Sequence, residues 1–488
     1  MDFVPVRQYH SALLARGFYE WLLTGELSTI PPDGIIEPPI RELVASFAYL
    51  MFGGEHLWIN RLLSVMFWMV GGVFLYHIAK KVSSPNAAVL SVAFYLFVPF
   101  SVLASRAFMP DPLMIMLLLI SVFTILRYHE QPSPRRMLIA AAASSLAVFV
   151  KPVMCFFPLF GVFASLAVSR RGVRKSLTSL HLPTFIALSI LPAGLYYLCG
   201  MFAGGIFHLE GQIQTKVAPL LLLEASFWQD WWVSAVTVVG YAALIGALLG
   251  LLLCRPGSPR ALMLGLWGGY LLFGLVYTVH IHTHDYYSLQ LIPIVALSLG
   301  PLGSLVVTQL NQLAIPKYPD QLGLRYYVRV IVLTLFVPAL ILSAVQYWQT
   351  ARGVLPGRMA ATHQSEVATY QEIGEVVNHS PHTLLLFGDT NDWGYPLLYH
   401  GRFSAVPFPR PGDMMGGLST EEYFNTLYSK YSPEYFIIST KLGYTESGGL
   451  LDFWESNEYK DLRNVLIKNF PVMVQNDTYV VFDLRKKY

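Results

Sequence analysis

The chain has 488 residues, of which 54% are hydrophobic and only 13% are charged, and its formal net charge is +3. Soluble proteins carry about 25% charged residues, so this composition excludes an ordinary soluble protein and predicts a polytopic membrane protein. Residues 1–347 hold 21 basic and 14 acidic side chains, whereas residues 348–488 hold 12 and 16. The basic excess therefore belongs to the apolar part, and no polybasic tract indicates a nucleic-acid partner. The three cysteines lie in apolar runs and predict no disulfide framework.

Residues 1–55 are amphipathic and contain no apolar run long enough to span a membrane. Proline pairs at Pro31-Pro32 and Pro38-Pro39 interrupt them, so we predict one or two helices lying at the membrane surface. The charge distribution described below places this first domain outside the cytoplasm. Nothing in it would carry it across the bilayer, so we expect either a spanning helix upstream of this chain or an N-out first helix.

Residues 56–347 form the predicted transmembrane domain, which contains ten apolar runs. These are residues 62–79, 87–104, 112–126, 137–150, 152–169, 182–207, 231–254, 261–279, 286–309 and 330–347. A spanning helix needs about 20 apolar residues, and the third and fourth runs are short by this measure.

Lysine and arginine divide unevenly between the two sets of loops that alternate along these runs. One set of five loops holds 14 of them, and the other set holds only Arg106, Lys151 and Lys216. By the positive-inside rule the first set is cytoplasmic. The breaks that contain Arg106 and Lys151 are therefore predicted to face outward, together with residues 1–55 and the tail.

Residues 348–488 have the pattern of a small extracytoplasmic α/β domain. Short apolar runs at Thr383–Phe387, Tyr435–Ser439 and Tyr479–Phe482 predict strands, and polar helix-like stretches separate them. A loop after the first strand contains Asp389 to Asp392; such loops can bind ligands, although an Asp- and Asn-rich segment is more often a turn. The predicted fold class is thus a polytopic α-helical membrane protein with a C-terminal extracytoplasmic α/β domain.

The segment Ser105–Asp111 places an arginine and a carboxylate between two long uncharged runs. Charge at this depth is costly and usually marks a functional site. Arg106 either neutralises Asp111 or contacts a phosphate. Asp111, between two prolines, either caps a helix or belongs to an active site.

Lys151 also stands alone between two apolar runs. Its side chain either snorkels to the membrane surface or supplies a point charge for a phosphate. Further along, the sequence His280-Ile-His282-Thr-His284-Asp285-Tyr286-Tyr287 concentrates imidazoles and aromatic rings at one predicted outer helix end. This pattern permits a divalent metal at His282 and His284, or a polar aromatic turn that binds substrate.

With these pieces in order, the chain resembles the C-type membrane glycosyltransferases, in particular glycosyltransferase family 39, which includes protein O-mannosyltransferases and the aminoarabinose transferase. The resemblance covers most of residues 1–310. Its motifs are Asp2 with Arg7 and the following helix, Glu37-Pro38-Pro39, Ser105-Arg106 with Asp111, Val150-Lys151-Pro152, and His284-Asp285-Tyr286-Tyr287 with Ile292-Pro293. The chain departs from the family pattern at Pro152, where glycine is usual, and at Glu37, where a Lys or His often precedes the prolines.

The resemblance implies an inverting transfer of sugar from a polyprenyl-phosphate donor to an acceptor hydroxyl on the outer membrane face. Asp2 would be the base, Lys151 and Arg106 would bind the phosphate, and Asp111 would orient the site. Glu37 with His282 or His284 would bind a metal or the sugar, and Arg7, Tyr286 and Tyr287 would line the substrate site. The donor is then a lipid-linked sugar, the acceptor a lipid, glycan or protein, and the location a bacterial plasma membrane.

Two other functions are compatible with a polytopic chain. A transporter or flippase of a lipid-linked substrate would place polar residues near span midpoints and show a paired internal repeat. Here the polar residues cluster at the predicted outer ends of the spans. A membrane anchor that displays a binding domain would leave Asp111 and Lys151 without a role.

Overall fold

The computed structural model describes the chain from residue 4 onward, except for residues 28–30, 32–33, 36, 204–215, 313–344, 346–355, 389–393, 410–418, 440–453 and 455–456. Its contacts divide the chain into two compact units. The central unit comprises Ile36–Arg41 and Leu57–Gly353, and the terminal unit comprises Met1–Ile35, Glu42–His56 and Val354–Tyr488. The terminal unit thus joins the N-terminal segment to the tail, a grouping that the sequence did not indicate.

The described part of the central unit is helical. Its helices are α3 Leu57–Val82, α4 Pro85–Phe97, α5 Pro99–Ser105, α6 Asp111–Glu130, α7 Pro134–Val150, α8 Pro152–Arg171, α9 Val173–Leu177, α10 His181–Ala203, α11 Ala225–Val239, α12 Tyr241–Leu253, α13 Ser258–Val276, α14 Thr278–Thr283 and α15 Leu291–Gln312, with 3-10 turns at Pro219–Leu223 and Asp285–Ser288. Among the described residues, six helices are long and apolar enough to cross a membrane, or eight if each of two bent pairs is one span. The polytopic class is therefore confirmed.

Two of the predicted spans are bent pairs of helices. The chain turns by 65° between α4 and α5 and by 92° between α11 and α12. Val98 leaves the helical conformation ahead of Pro99 because a residue before proline is disfavoured in it, and Gly240 adopts φ 84°. Predicted run 137–150 is the helix α7, which has 17 residues. Run 330–347 falls mainly outside the described residues.

Helices α8 and α13 pack at close range through glycine. A Cβ atom built on Gly269 would lie 2.4 Å from the Cα of Pro158, and one on Gly161 would lie 2.4 Å from the carbonyl oxygen of Gly265. Backbones can approach this closely in membrane helices when small residues lie between them. These contacts allow α8, which begins directly after Lys151, to pack closely against α13.

The terminal unit contains α1 Pro5–Thr24 and α2 Ile40–Met51, of which residues 42–51 belong to it. In the tail lie α16 Pro356–Val376, β1 Thr383–Phe387, α17 Tyr395–Gly401, β2 Ala405–Pro407, α18 Thr420–Tyr431, β3 Tyr435–Ser439, a 3-10 turn at Asn457–Tyr459, α19 Lys460–Asn469, β4 Val472–Gln475 and β5 Tyr479–Asp483. The three predicted strands are β1, β3 and β5. The short strands β2 and β4 and helix α17 were not predicted.

The five strands form one mixed sheet in the order β2-β1-β3-β5-β4. Strands β2, β1 and β3 are parallel, and β5 pairs antiparallel with both β3 and β4. The residues of β1, β3 and β5 are all buried, as expected for central strands whose two faces are covered. The side chains of Phe424 on α18 and Leu462 on α19 pack against the sheet in the core. The predicted α/β domain is therefore confirmed, while its loop at residues 389–392 lies outside the described residues.

Within the terminal unit, α1 packs on the tail. The hydroxyl of Tyr9 lies 2.9 Å from Nε2 of His400, and the rings of His10 and Tyr395 meet edge to face at 5.6 Å. Arg16 of α1 forms an ion pair with Glu55, with Nε 2.9 Å from Oε2. The N-terminal segment thus forms two helices, α1 and α2. Gln8 to Gly17 of α1 are all buried, and α1 contacts the α/β domain through polar and aromatic groups.

Candidate active site

Asp111 and Lys151 form a fully buried ion pair in the central unit. Nζ of Lys151 donates to Oδ1 of Asp111 at 2.8 Å, and the two side chains are 0% and 1% exposed. Lys151 therefore does not snorkel to a surface. The side chain of Asp111 binds this ammonium instead of capping α6. Among the described residues it is Lys151, rather than Arg106, that forms the ion pair with Asp111.

Each partner stands at a helix end. Asp111 is the first residue of α6, where the helix dipole favours a negative charge. Lys151 is the single residue between α7 and α8, with Pro152 as the first residue of α8. Since proline has no backbone N–H and a fixed φ, it starts a helix easily. The apolar runs on both sides of Lys151 therefore become separate helices, and the lysine lies at their junction.

Two tyrosine rings cover the ammonium group. Nζ of Lys151 lies 5.2 Å from the ring centroid of Tyr286 and 5.2 Å from that of Tyr287. A cation at this distance from an aromatic face is attracted to it by about 0.5 to 2 kcal/mol. The structure thus brings together four predicted site residues that are far apart in sequence: Asp111, Lys151, Tyr286 and Tyr287.

A buried hydrogen-bond chain positions the turn that carries the tyrosines. Nε1 of Trp231 donates to the hydroxyl of Tyr270 at 2.9 Å, and this hydroxyl lies 3.1 Å from Oγ of Ser288. Oγ of Ser234 lies 3.4 Å from the same serine oxygen. Helices α11 and α13 are therefore joined to the 285–288 turn through side chains that are buried and hydrogen-bonded, which restricts the positions available to Tyr286 and Tyr287.

His280 belongs to this cluster, although its spacing alone did not distinguish it from the neighbouring histidines. It is buried, its ring meets that of Tyr287 edge to face at 4.4 Å, and its Nδ1 has no hydrogen-bond partner among the described residues. The pKa of His280 is lowered to about 3, first by burial and then by the charges of Lys216, Lys151 and His284, while Glu37 opposes this shift. His280 is therefore a neutral imidazole at physiological pH, with predicted site residues around it.

Arg41 is a second residue that the sequence did not reveal. Its guanidinium is buried 3.8 Å from the ring centroid of Phe108, and one nitrogen donates to Oγ of Ser64 at 2.5 Å. Ser64 in turn donates to the carbonyl oxygen of Ala107 at 2.8 Å. These contacts hold the segment between α5 and α6 just ahead of Asp111. The proline pair before Arg41 was the only local signal.

The predicted metal site at His282 and His284 does not form a ligand cluster. Among the described residues, no group of three His, Cys, Asp or Glu side chains could bind a metal ion. Residues 278–283 are helical instead of extended, so alternate histidines point in different directions. Nδ1 of His282 lies 2.8 Å from the carbonyl oxygen of Thr278, and Nδ1 of His284 lies 2.7 Å from Oγ1 of Thr283.

The remaining predicted site residues have different placements. Glu37 is half-buried and close enough to affect the pKa of His280, and Arg106 is half-buried at the end of α5. Arg7 is in the first turn of α1 and belongs to the terminal unit. Asp2, the predicted base, lies outside the described residues.

Residues 36–197 match the family model described as dolichyl-phosphate-mannose-protein mannosyltransferase. The match includes Glu37, Arg106, Asp111 and Lys151. No curated protein sequence matches the chain.

Several solved structures are similar to the chain at low sequence identity. ArnT from Cupriavidus metallidurans bound to undecaprenyl phosphate has a TM-score of 0.60 at 13% identity, covering 98% of this chain and 93% of that one. The archaeal oligosaccharyltransferase AglB from Archaeoglobus fulgidus, in complex with an inhibitory peptide and a dolichol-phosphate, has a TM-score of 0.55 at 13% identity, covering 97% and 69%. The mycobacterial arabinofuranosyltransferase AftD has a TM-score of 0.50 at 14% identity, covering 93% of this chain and 35% of that one.

At these identities the likeness to solved structures shows the fold, which is the one that the sequence motifs predicted. The family match falls on the part of the chain that holds the ion pair. The chain therefore has the fold of these C-type membrane glycosyltransferases, and its residues 36–197 match the mannosyltransferase family model.

Proposed function

We propose that this protein transfers a sugar from a polyprenyl-phosphate donor to an acceptor hydroxyl, with inversion at the anomeric carbon, on the extracytoplasmic face of a bacterial plasma membrane. The observation that carries the proposal is the buried Asp111–Lys151 pair under Tyr286 and Tyr287. The similar ArnT structure is bound to undecaprenyl phosphate, and the similar AglB structure is in complex with a dolichol-phosphate. These two ligands support a lipid phosphate as the donor.

The cluster provides positive charge where a phosphate must leave. The charges of Lys151 and Lys216 both lower the pKa of His280, so both ammonium groups lie near this imidazole. Asp111 fixes the position of Lys151 and offsets part of its charge, so the pair acts on nearby groups as a dipole whose positive end is the ammonium. Weak screening in the interior strengthens the field of this dipole. Since Lys151 is not exposed, we propose that it acts on the phosphate through this field, with Arg106 as the direct contact.

The proposed reaction is a single displacement. The acceptor oxygen bonds to the anomeric carbon while the bond from that carbon to the phosphate oxygen breaks, and the phosphate leaves with the bonding electrons. Asp2 accepts the proton of the acceptor hydroxyl. A positioned general base contributes about 10²- to 10⁴-fold, and fixed charge at the departing group contributes at least a similar factor.

The neutral imidazole of His280 and the carboxylate of Glu37 are the groups proposed to contact the sugar. A neutral imidazole can donate and accept hydrogen bonds without opposing the charges of Lys151 and Lys216. The uneven distribution of lysine and arginine supports the outward orientation of this end of the spans. The ion pair between Lys81 and Glu130 is consistent with it, because their two loops are predicted to be cytoplasmic.

The test is transfer of label by purified protein in lipid nanodiscs. Polyprenyl-phosphate hexoses and pentoses, labelled in the sugar, would be supplied with a membrane glycolipid extract or with Ser- and Thr-containing peptides. We expect label to leave the lipid phosphate for one class of acceptor, and Asp2→Asn to slow this transfer by about 100-fold or more. Asp230→Asn, which changes an exposed carboxylate of α11, is the matched control and should retain activity.

Lys151→Arg tests the charge separately from the base. It keeps the positive charge but replaces a compact ammonium by a planar fork, so we expect a folded protein with reduced transfer. Unchanged transfer by Asp2→Asn would remove Asp2 from the base role. Movement of intact labelled donor across a vesicle membrane, with no transfer to any acceptor, would overturn the proposal in favour of transport.

A further inference from the structure

The terminal unit contains a polar cavity of about 450 Å³ that the proposed reaction does not use. Its lining includes Arg16, Tyr19 and Glu20 of α1, Glu55, and His379 and Arg402 of the tail, and the side chains of Pro381 and Phe403 add apolar surface. Cavities that bind small ligands have about 300 to 1,000 Å³, so this one has room for a ligand of the size of a sugar unit.

One side of the cavity is formed by a buried ion pair. Arg16 is 7% exposed, its Nε and Nη2 donate to the two carboxylate oxygens of Glu55 at 2.9 and 3.3 Å, and its guanidinium lies 4.3 Å from the ring centroid of Tyr399. Burial by itself would lower the pKa of Arg16, but the Glu55 carboxylate outweighs this and the pKa is raised. Arg16 and Glu55 therefore offer a fixed donor and a fixed acceptor side by side.

Two polar side chains from the tail line the cavity from strained backbone. His379 and Arg402 have φ of 52° and 54°, in the left-handed region that costs a residue with a Cβ about 1 to 2 kcal/mol. Arg402 caps the C-terminus of α17, where glycine would fit without strain. Nδ1 of His379 lies 2.8 Å from the carbonyl oxygen of Gly401, so when it donates there Nε2 is left as an acceptor.

The lining restricts the chemistry of the ligand. Two carboxylates oppose an anion, and two guanidinium groups oppose a cation. A purely apolar ligand would remove these charges from water without replacing their hydrogen bonds. A neutral molecule with several hydroxyl groups can donate to Glu20 and Glu55, accept from Arg16 and Arg402, and place an apolar face on the ring of Tyr19. That ring is held edge to face against Tyr49 at 5.8 Å.

We infer that this cavity binds a neutral saccharide unit of the acceptor. That this saccharide belongs to the acceptor rests on the proposed function, whereas the binding of a saccharide rests on the lining of the cavity alone. The acceptor is then a glycan or glycolipid instead of an unmodified polypeptide.

The experiment measures binding without any donor present. Full-length protein in nanodiscs would be titrated with the methyl glycosides of glucose, mannose, galactose and N-acetylglucosamine and with maltose, using saturation-transfer difference NMR. Glucuronate and a Ser- and Thr-containing peptide would serve as the charged and polypeptide probes. We expect saturable binding of at least one neutral saccharide and weaker or no binding of the other two probes.

Arg402→Gly is the decisive variant, because it removes the guanidinium while relieving the backbone strain. We expect unchanged or increased thermal stability together with at least fivefold weaker saccharide binding. Ser432→Gly is its matched control, since Ser432 also has a left-handed φ, of 45°, at the C-cap of α18 and does not line the cavity. Glu20→Gln should weaken binding similarly, and Glu26→Gln, beyond the end of the same helix, should not.

Three results would overturn the inference: no neutral saccharide binds, the peptide binds in their place, or Arg402→Gly and Glu20→Gln leave saccharide binding unchanged. The result is independent of catalysis. Protein that binds saccharide but transfers no label from any donor retains this site and loses the proposed function. Protein that transfers label but binds no saccharide retains the function and loses this site.

Discussion

The two ends of α6 carry ion pairs of opposite character. Asp111 at its first residue pairs with Lys151 in complete burial, whereas Glu130 at its last residue pairs with Lys81, and these two side chains are 41% and 32% exposed. The helix has 20 residues, so the pairs lie about 30 Å apart, the thickness of a bilayer core. A lysine–carboxylate ion pair is thus exposed at one end of α6 and fully buried at the other end.

The difference lies in what surrounds each pair. At the Asp111 end, tyrosine rings cover the ammonium, and a buried network joins α11, α13 and the 285–288 turn. At the Glu130 end, Arg127 provides a second exposed cation at 3.8 Å. Removing a charge from water costs several kcal/mol unless its partner is well placed. Losing one partner should therefore destabilise the protein far more at the buried pair than at the exposed pair.

Removing one partner at each end gives the largest expected contrast. Asp111→Asn leaves the ammonium of Lys151 buried without its partner, and Lys151→Met leaves the carboxylate of Asp111 so. Each change should lower the free energy of unfolding by about 3 to 5 kcal/mol. Glu130→Gln and Lys81→Met, at the exposed pair, should cost about 0 to 1 kcal/mol. The measurement is urea or thermal unfolding in a fixed detergent. Equal losses at the two ends would show that the environment of the Asp111–Lys151 pair does not differ from that of the surface pair.

The packing that positions Lys151 can be tested one residue along a helix. Gly269→Ala places a methyl group 2.4 Å from the Cα of Pro158 in α8, so we expect a loss of about 1 to 3 kcal/mol. Gly268→Ala is the control, because nothing lies within 4 Å of its added methyl group. Gly268→Ala should leave the free energy of unfolding unchanged or raise it by up to about 1 kcal/mol, because alanine has a higher helix propensity than glycine. Similar stability of the two variants would contradict the close contact of α8 with α13.

Acid sensitivity should arise at the buried end through His280. The pKa of His280 is about 3 in the folded protein, below the ordinary value of 6.5. Below pH 6.5 the unfolded chain therefore binds a proton that the folded protein does not, and stability falls as the pH is lowered from 6.5 towards 3. The loss at pH 5 relative to pH 7.5 should be about 1 to 2 kcal/mol.

Replacing the imidazole separates this effect from other titrations. His280→Gln should reduce the acid sensitivity between pH 7.5 and 5, as followed by unfolding at fixed ionic strength. His282→Gln, on the same short helix, should keep it because His280 remains. If His280→Gln and the unchanged protein lose the same stability between pH 7.5 and 5, groups other than His280 cause the acid sensitivity.

Much of the architecture could be predicted from pattern alone. Apolar runs separated by charge gave most of the helices of the central unit, and β1, β3 and β5 coincide almost residue for residue with the predicted strands because continuous burial leaves an uninterrupted apolar run. The bends at Val98 and Gly240 were missed, since hydropathy continues across both positions. Strands β2 and β4 were missed because they are short and their side chains are incompletely buried.

The candidate site divides in the same way. Asp111 and Lys151 could be found because an isolated charge between apolar runs is a strong local signal. The ion pair between them could not be predicted, because a snorkelling Lys151 and a helix-capping Asp111 were equally compatible with the local sequence. Arg41 and His280 gave no such signal: Arg41 lies among other charges of an amphipathic segment, and His280 is one of three histidines at alternate positions. Only packing buries the side chains of Arg41 and His280, and of the three histidines it leaves His284 exposed.

The sequence by itself determined that the chain spans a membrane, where its helices run, which charges lie between them and which fold these motifs share. Those properties depend on hydropathy and charge that are local in the chain. The tertiary structure decided that Lys151 is buried against Asp111, that His280 rather than His282 joins it, and that α1 closes a polar cavity with the tail. These depend on contacts between residues tens to hundreds of positions apart, and a local pattern does not specify which of several compatible partners packing will select.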